Sequence, residues 1–256
     1  MGGEPESFGL TVAAFHRANR ARRRFWPDSL LATSTHDTKR GEDVRARLNV
    51  LSEIPQVWRA SLQRWQRLNR PHKPRLDGQA IPSPQEEYLL YQTLLGAWPM
   101  PALLAADREA FCKRIQAYMV KALREAKVHT SWNNVYEPYE RAVETFLATL
   151  LDETVSQRFL EDFAALQQTV ARYGIWNSLA QTLLKLTTPG IPDFYQGSEL
   201  WDLRLVDPDN RQPVDYALRQ QLLTSLNQRC QTMGRLALVR ELLDTPHDGQ
   251  LKLYLI

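Results

Sequence analysis

The chain has 256 residues, 43% of them apolar, which is ample for a folded domain with a real core and excludes a disordered chain. Its 32 Lys and Arg residues nearly balance 29 Asp and Glu residues, so net charge alone does not favour a polyanionic partner. The two cysteines, Cys112 and Cys230, lie far apart, which favours a reducing cytoplasm over a disulfide framework. No run approaches about eighteen apolar residues, so we expect no membrane-spanning segment.

The first elements in chain order are a helix, a strand and a pair of helices. Apolar residues recur at helical spacing from about Phe8 to Trp26. Leu30 to Thr35 is short, apolar and rich in Thr, which predicts a buried strand. Gly41 to Asn69 is helical in pattern, and Pro55 breaks it into two pieces.

A proline-rich stretch then separates this region from a longer helical one. Arg70 to Pro84 holds four prolines and is predicted to be an exposed loop. Ser83 with Glu86 three residues later is typical of a capping box, which starts a helix that ends at Gly96. Further helices are predicted over Asp107 to Lys127, Val135 to Leu151, Ser156 to Tyr173, Trp176 to Leu186 and Tyr216 to Asp244, the last preceding LKLYLI. A second strand is predicted at Ile191 to Tyr195.

The two predicted strands lie about 150 residues apart, with a mostly helical region between them. A lone pair of strands is only marginally stable. These strands therefore call for neighbours that the chain itself does not obviously supply.

The stretch LLATSTHDTKR is the first candidate site. His36 and Asp37 follow the first strand, where barrel and open-sheet enzymes carry catalytic groups. A carboxylate there could stabilise a cationic transition state, and the imidazole could donate to substrate hydroxyls. The alternative is that Asp37 is the N-cap of the next helix, with Lys39 and Arg40 solvated.

The second candidate site is the segment TPGIPDFYQGSELWDLRLVDPDNRQPVD. Its aromatic, amide and carboxylate side chains suit a sugar site, where rings stack on sugar faces and polar groups hold hydroxyls. They include Tyr195, Gln196, Glu199 and Arg211. The alternative is ordinary turn chemistry at residues 207–210.

The third candidate site is KVHTSWNNVYEPYE, which connects two helices and contains Lys127, His129 and Trp132. The alternative is a helix C-terminus at which Lys127 and His129 lie near the last carbonyls.

Other common motifs are absent from the sequence. It has no glycine-rich phosphate loop, HExxH, CxxC or nucleophile elbow, so we expect no metal and no cofactor. The cluster Arg20, Arg22, Arg23 and Arg24 is typical of a solvated helix end. We therefore expect neither a nucleic acid nor a membrane as partner.

Four separated segments together resemble the maltooligosyl trehalose synthases, a family of the α-amylase clan of glycoside hydrolases. They are ATSTHDTKRGEDVRARL, EYLLYQTLLGAWP, KVHTSW and TPGIPDFYQGSELWDLRLVDPDNRQPVDY. The resemblance implies a mostly α chain holding the last strands of a (β/α)8 TIM barrel, with a large helical insertion between strands seven and eight. It implies intramolecular transfer of the reducing-end glucose of a maltooligosaccharide, which turns an α-1,4 linkage into the α,α-1,1 linkage of trehalose.

The resemblance also implies roles for individual residues. His36-Asp37 is similar to the strand-seven motif of the clan, which makes Asp37 the catalytic, transition-state carboxylate. GIPDFYQGSE is similar to the strand-eight motif GxPxxYxGxE. The implied substrate-binding residues are His36, Lys39, Arg40, Lys127, His129, Trp132, Tyr195, Gln196, Glu199 and Arg211.

The sequence departs from the family where the catalytic nucleophile and general acid should be. Its only RxD lies in the proline-rich loop, at Arg75 to Asp77, and no Glu ends an apolar strand. The chain therefore resembles the C-terminal part of the enzyme, and we expect it to be inactive alone. Its expected partners are an α-glucan substrate and, as a candidate, the N-terminal part of the same enzyme. The alternative is a non-catalytic glucan-binding or barrel-completing module of a split hydrolase or transferase.

The resemblance divides the chain into four parts. They are 1–40 with a barrel helix and strand seven, 41–175 as the helical insertion subdomain, 176–215 with a barrel helix, strand eight and the following loop, and 216–256 with a C-terminal helix and the start of the C-terminal domain.

Overall fold

The computed structural model describes residues 9–100 and 105–256, and this part of the chain is mostly helical, as predicted. Its helices are α1 (Val12–Phe25), α2 (Glu42–Glu53), α3 (Pro55–Asn69), α4 (Pro84–Ala97), α5 (Ala105–Ala126), α6 (Glu137–Leu151), α7 (Glu153–Thr187), α8 (Tyr216–Met233), α9 (Arg235–Asp244) and α10 (Gln250–Leu255). Its strands are β1 (Leu30–Ala32), β2 (Arg75–Leu76), β3 (Gln79–Ala80) and β4 (Ile191–Asp193). The predicted helix start at Phe8 lies outside the described residues.

In two regions of the chain the predicted number of helices is wrong. The predicted helices over 156–173 and 176–186 form the single helix α7, which continues through Gly174. A Cβ on Gly174 would lie 2.5 Å from Cγ of Arg47, so glycine here lets α2 and α7 approach closely. The predicted helix over 216–244 is instead two helices, because Gly234 adopts φ 84° between α8 and α9.

The proline-rich stretch is not only a loop. Strands β2 and β3 pair antiparallel within it. Asp77 and Gly78 connect them with φ angles of 50° and 79°, which is the geometry of a two-residue type I′ turn. The Asp-Gly pair was the sequence signal for this hairpin.

The main hydrophobic core lies among α2 to α7. Trp65 is fully buried and packs edge-on against Tyr91 and Phe159, with ring centroids 5.3 and 5.7 Å away. A second, smaller cluster joins α8, α9 and α10 through buried leucines, including Leu226 and Leu251. Helix α10 therefore belongs to a packed unit.

Strands β1 and β4 pair in parallel, with Leu30 opposite Ile191 and Ala32 opposite Asp193. The prediction of a buried strand over Leu30 to Thr35 is wrong in its extent and in its burial, because β1 ends at Ala32 and 68% of Leu30 is exposed. The described part of the chain places no third strand beside this pair. Its helices include none that is long and apolar enough to cross a bilayer.

Candidate functional site

The His36 loop, residues 33–41, follows β1 and carries the candidate catalytic carboxylate. The side chain of Asp37 is 80% exposed, and its Oδ2 lies 3.3 Å from Nε2 of His36. Gly41 occupies the N-cap position of α2. The N-cap alternative for Asp37 is therefore wrong, and its carboxylate faces solvent.

The two cations of this loop contact neighbouring helices. Lys39 Nζ donates to Oε2 of Glu125 on α5 at 2.8 Å, and this hydrogen bond raises the pKa of Lys39. Arg40 donates to Oε1 of Gln92 at 3.2 Å and to Oγ1 of Thr93 at 3.4 Å, both on α4. The loop is thus tied to two helices of the main core.

The 203–212 segment, which follows β4, is fastened to α5 by two ion pairs. Arg114 Nε lies 3.0 and 2.9 Å from the two carboxylate oxygens of Asp209. Lys121 Nζ donates to Oδ1 of Asp207 at 2.7 Å, and this hydrogen bond lowers the pKa of Asp207. Both aspartates therefore do more than form a turn.

The segment after β4 meets the His36 loop directly. Asn210 is buried, and its Nδ2 donates to the carbonyl oxygen of His36 at 2.9 Å. Tyr195 donates its hydroxyl to the carbonyl oxygen of Asn210 at 3.2 Å. Gln196 follows Tyr195 and is exposed. The first two candidate sites are therefore adjacent in space.

Two other residues of the second candidate site form ion pairs within the chain. Glu199 accepts from Arg219 on α8, with Oε2 3.0 Å from Nε. Arg211 lies 3.4 Å from Asp207 and keeps 55% of its side chain exposed. Arg211 is thus open to a ligand, whereas Glu199 is bound to α8.

The third candidate site lies at the end of α5. Lys127 adopts φ 57° there, and its backbone N–H donates to the carbonyl of Leu123 at 3.2 Å. The ring of His129 stacks on Tyr139, with centroids 4.4 Å apart. Trp132 is 55% exposed. Lys127 therefore ends the helix, as its alternative reading proposed, while Trp132 offers an open ring.

Glu140 on α6 accepts hydrogen bonds from residues on both sides of the end of α5. Its carboxylate accepts from Arg124 at 2.8 and 2.7 Å and from Oγ1 of Thr130 at 2.7 Å. The Arg124 guanidinium in turn lies 5.0 Å from the ring centroid of Trp132. The hydrogen bonds from Arg124 lower the pKa of Glu140 below its ordinary 4.5.

We expect Glu140→Gln to lower the free energy of unfolding by about 1–3 kcal/mol at pH 7, because charge-assisted hydrogen bonds are lost. A depressed carboxyl pKa stabilises above the unfolded-state value, and that stability is lost as pH falls through the folded-state value. The difference in the free energy of unfolding between wild type and variant should therefore become smaller below pH 4.5. Urea unfolding at several pH values measures it, with Glu137→Gln, an exposed carboxylate, as control. A gap independent of pH would contradict this role.

Two clefts open beside these residues and share no lining residue. One, of about 990 Å³, is lined by Asp37, Lys39 and Arg40 together with residues of α2 and α7. The other, of about 400 Å³, lies between α5 and the 203–212 segment and includes Trp132. The first cleft is where the candidate carboxylate meets open space.

A buried ion cluster lies next to the His36 loop. Lys252 of α10 is fully buried, and its Nζ lies 2.7 Å from Oε1 of Glu42 and 2.9 Å from Oδ2 of Asp43. Burial opposes the charge on Lys252, but the two carboxylates outweigh it and raise its pKa. This contact joins the end of the chain to the start of α2.

Lys185 of α7 extends this cluster to both strands. Its Nζ donates to Oγ1 of Thr33, directly after β1, at 2.8 Å and to the carbonyl oxygen of Asp193 in β4 at 2.9 Å. It also lies 3.7 Å from Oε2 of Glu42. Burial lowers the pKa of Lys185. The cluster thus fixes the strand pair on the helices.

Sequence reasoning missed the residues that hold the site together. Lys185 lies in an ordinary helical pattern, Lys252 lies in the apolar run LKLYLI for which no helix is predicted, and the pattern around Asn210 predicts only a turn. No local signal marks any of the three, because each acts on residues far away in sequence.

Comparison with known proteins gives a consistent result. No family model matches the chain. A curated relative from Mycobacterium tuberculosis, which bears the name maltooligosyl trehalose synthase, is 42% identical over 226 residues, or 88% of this chain and 27% of the relative.

Solved structures agree in fold as well as in sequence. The maltooligosyltrehalose synthase of Arthrobacter ramosus is 38% identical, with a TM-score of 0.73 over 89% of this chain and 27% of its own. A crystal structure of another maltooligosyl trehalose synthase is 32% identical, with a TM-score of 0.82 over 100% of this chain and 32% of its own. This chain is therefore related to the maltooligosyl trehalose synthases and matches about a quarter to a third of their length, which fits a C-terminal part.

Proposed function

We propose that this chain is the C-terminal part of a glucosylmutase that converts the reducing-end α-1,4 linkage of a maltooligosaccharide into the α,α-1,1 linkage of trehalose. One observation carries the proposal. The His36 loop and the segment after β4 meet at the same end of a parallel strand pair, with the exposed carboxylate of Asp37 at an open cleft. The relatives named above support the choice of reaction.

In this proposal Asp37 stabilises the positive charge of an oxocarbenium-like transition state. His36 donates to a hydroxyl of the same sugar, while Lys39 and Arg40 lie at the rim of the cleft. Retaining transfer also needs a nucleophilic carboxylate and a carboxylic acid, which the remainder of the enzyme supplies. The reducing-end glucose leaves, protonated by the acid, as the nucleophile forms a covalent glycosyl-enzyme bond. The anomeric hydroxyl of that glucose then attacks the glycosyl-enzyme bond in place of water, giving its proton to the same carboxylate and freeing the nucleophile.

The strand pair suggests how this part completes the enzyme. We assign β1 and β4 to strands seven and eight of a barrel, because they are parallel neighbours joined by a long helical crossover. Residues 41–175 form the insertion. Since α7 runs through residue 175, one helix serves both the insertion and the barrel in this assignment.

The partner in this proposal is the rest of the synthase. Four apolar residues on the strands and on α7 are each at least 48% exposed, namely Leu30, Ile191, Leu183 and Leu184. Helix α1 has no buried residue among those described. Unpaired strand edges and exposed apolar side chains are costly in water, so a docked partner that covers them would be favoured. A separate glucan-binding module is not favoured, because the relatives are synthases.

Co-expression of the chain with the N-terminal remainder of a maltooligosyl trehalose synthase tests the function. The purified complex, incubated with maltohexaose, should give a product whose NMR spectrum contains an α,α-1,1 linkage. The chain alone should give none. Trehalosyl product from the chain alone, or a stable but inactive complex, would contradict the proposal. A cytoplasmic location stays a prediction.

A further inference from the structure

We propose that Asn210 is a positioning residue that holds the His36 loop, and with it Asp37, in the geometry required for glucosyl transfer. The consequence for transfer rests on the proposed function, whereas the anchoring of the loop does not. Asn210 need not touch the substrate in this role, since it acts through the backbone of His36.

The bond from Asn210 has only one chemically sensible direction. Its Nδ2 lies 2.9 Å from the carbonyl oxygen of His36, and a carbonyl can only accept. Asn210 is 5% exposed, so water cannot readily replace the donor. The amide thus fixes the peptide unit that joins His36 to Asp37.

The tip of the loop, residues 35–38, otherwise forms hydrogen bonds only within itself among those described. Thr38 N–H donates to the carbonyl of Thr35 at 3.1 Å, and Thr35 N–H donates to Oγ1 of Thr38 at 2.8 Å. These bonds shape the turn but do not fix its position. The base of the loop, residues 39–41, is held by backbone bonds from Gly41 to Arg204 (3.0 Å) and from Val206 to Lys39 (3.1 Å). The side chains of Lys39 and Arg40 also bond there to α5 and α4. Among the described hydrogen bonds, the one from Asn210 ties the tip to another segment.

Asn210 is itself rigidly placed. Its neighbour Asp209 is paired with Arg114 on α5 at 2.9 Å. The carbonyl oxygen of Asn210 accepts from the hydroxyl of Tyr195 at 3.2 Å. Contacts with α5 and with Tyr195 therefore fix Asn210, and the buried side-chain amide of Asn210 fixes the backbone of His36 next to Asp37. A misplacement of a catalytic group by about 1 Å can cost about 100-fold in rate.

Asn210→Asp tests the anchor, because it keeps the size of the side chain and removes the donor. Hydrogen exchange of the chain alone should show residues 34–38 exchanging about 3- to 10-fold faster, while the helices of the main core stay protected. Asn177→Asp is a control for the loss of the bond itself, since the exposed Asn177 also donates its Nδ2 to a backbone carbonyl, that of Ala46, at 3.0 Å. It should leave residues 34–38 unchanged. Should Asn210→Asp fail to fold, Asn210→Ala takes its place.

A kinetic experiment tests the consequence for transfer. In the completed enzyme, Asn210→Asp should lower kcat about 10- to 100-fold while KM changes less than about threefold, because the loss falls mainly on the transition state. Unchanged exchange at residues 34–38 would overturn the anchor. Faster exchange with an unchanged kcat would overturn the positioning role. A wild-type complex that forms no trehalosyl product contradicts the proposed function instead and leaves the exchange result to decide the anchor.

Discussion

Asp37→Asn should reduce kcat for trehalosyl formation by about 10²- to 10⁴-fold in the complex of this chain with the rest of the enzyme. The substitution keeps the shape of the side chain and removes the negative charge that opposes the developing oxocarbenium charge. Because the side chain is 80% exposed in a loop, the free energy of unfolding should change by less than about 0.5 kcal/mol. Initial rates with maltohexaose and urea unfolding measure the two effects.

Asp77→Asn is a suitable control for Asp37→Asn. Asp77 lies in the β2–β3 turn, remote in sequence from both loops of the candidate site, and Asn tolerates the positive φ found there. This variant should keep wild-type rates. Activity of Asp37→Asn within threefold of wild type would remove Asp37 from the catalytic set, whatever the fate of the other candidate residues.

Lys252→Met should lower the free energy of unfolding by about 3–5 kcal/mol. Lys252 is fully buried, and its removal leaves the carboxylates of Glu42 and Asp43 without their closest cation. Lys185 cannot replace it, because Lys185 lies 3.7 Å from Glu42 and is committed to Thr33 and Asp193. Denaturant unfolding followed by circular dichroism measures the loss.

Two further variants separate the charge from the packing. Lys113→Met removes a lysine that is 70% exposed and pairs with Glu109, and should leave the free energy of unfolding close to that of the wild type. The double variant Asp43→Asn, Lys252→Met should recover part of the loss, because it leaves Glu42 paired with Lys185 at 3.7 Å and removes the carboxylate of Asp43 that Lys252 had paired. A double variant less stable than Lys252→Met would show that the loss arises from packing.

Local signals in the sequence predicted most of the helices. The Ser83 capping box forms with both of its hydrogen bonds, and Pro55 separates α2 from α3. Two of the helix errors occur at glycines, where the local pattern is ambiguous, and a third is α10, which the apolar run LKLYLI does not predict. Gly174 continues a helix because Arg47 packs against it, whereas Gly234 ends one by adopting a positive φ. Tertiary packing decides between these outcomes.

The candidate site divides in the same way. His36, Asp37, Lys39 and Arg40 are consecutive or nearly so, and a motif within one segment can be recognised. Their partners cannot, because they come from other elements. Glu125 lies on α5, 86 residues after Lys39, and Asn210 lies 174 residues after His36. Those contacts exist only once the helices have packed, so periodicity and motif spacing carry no information about them.

The pairing of β1 with β4 has a consequence for how the chain folds. Their contact closes a loop of about 160 residues, which in an unstructured chain costs about 4–5 kcal/mol of entropy. The three residue pairs between β1 and β4 stabilise the contact by too little to offset that loss of entropy. The helices between them must therefore condense first and bring the two strands within reach. The candidate site, which follows these two strands, should then form after the helical body, and a partner that binds there must wait for that step.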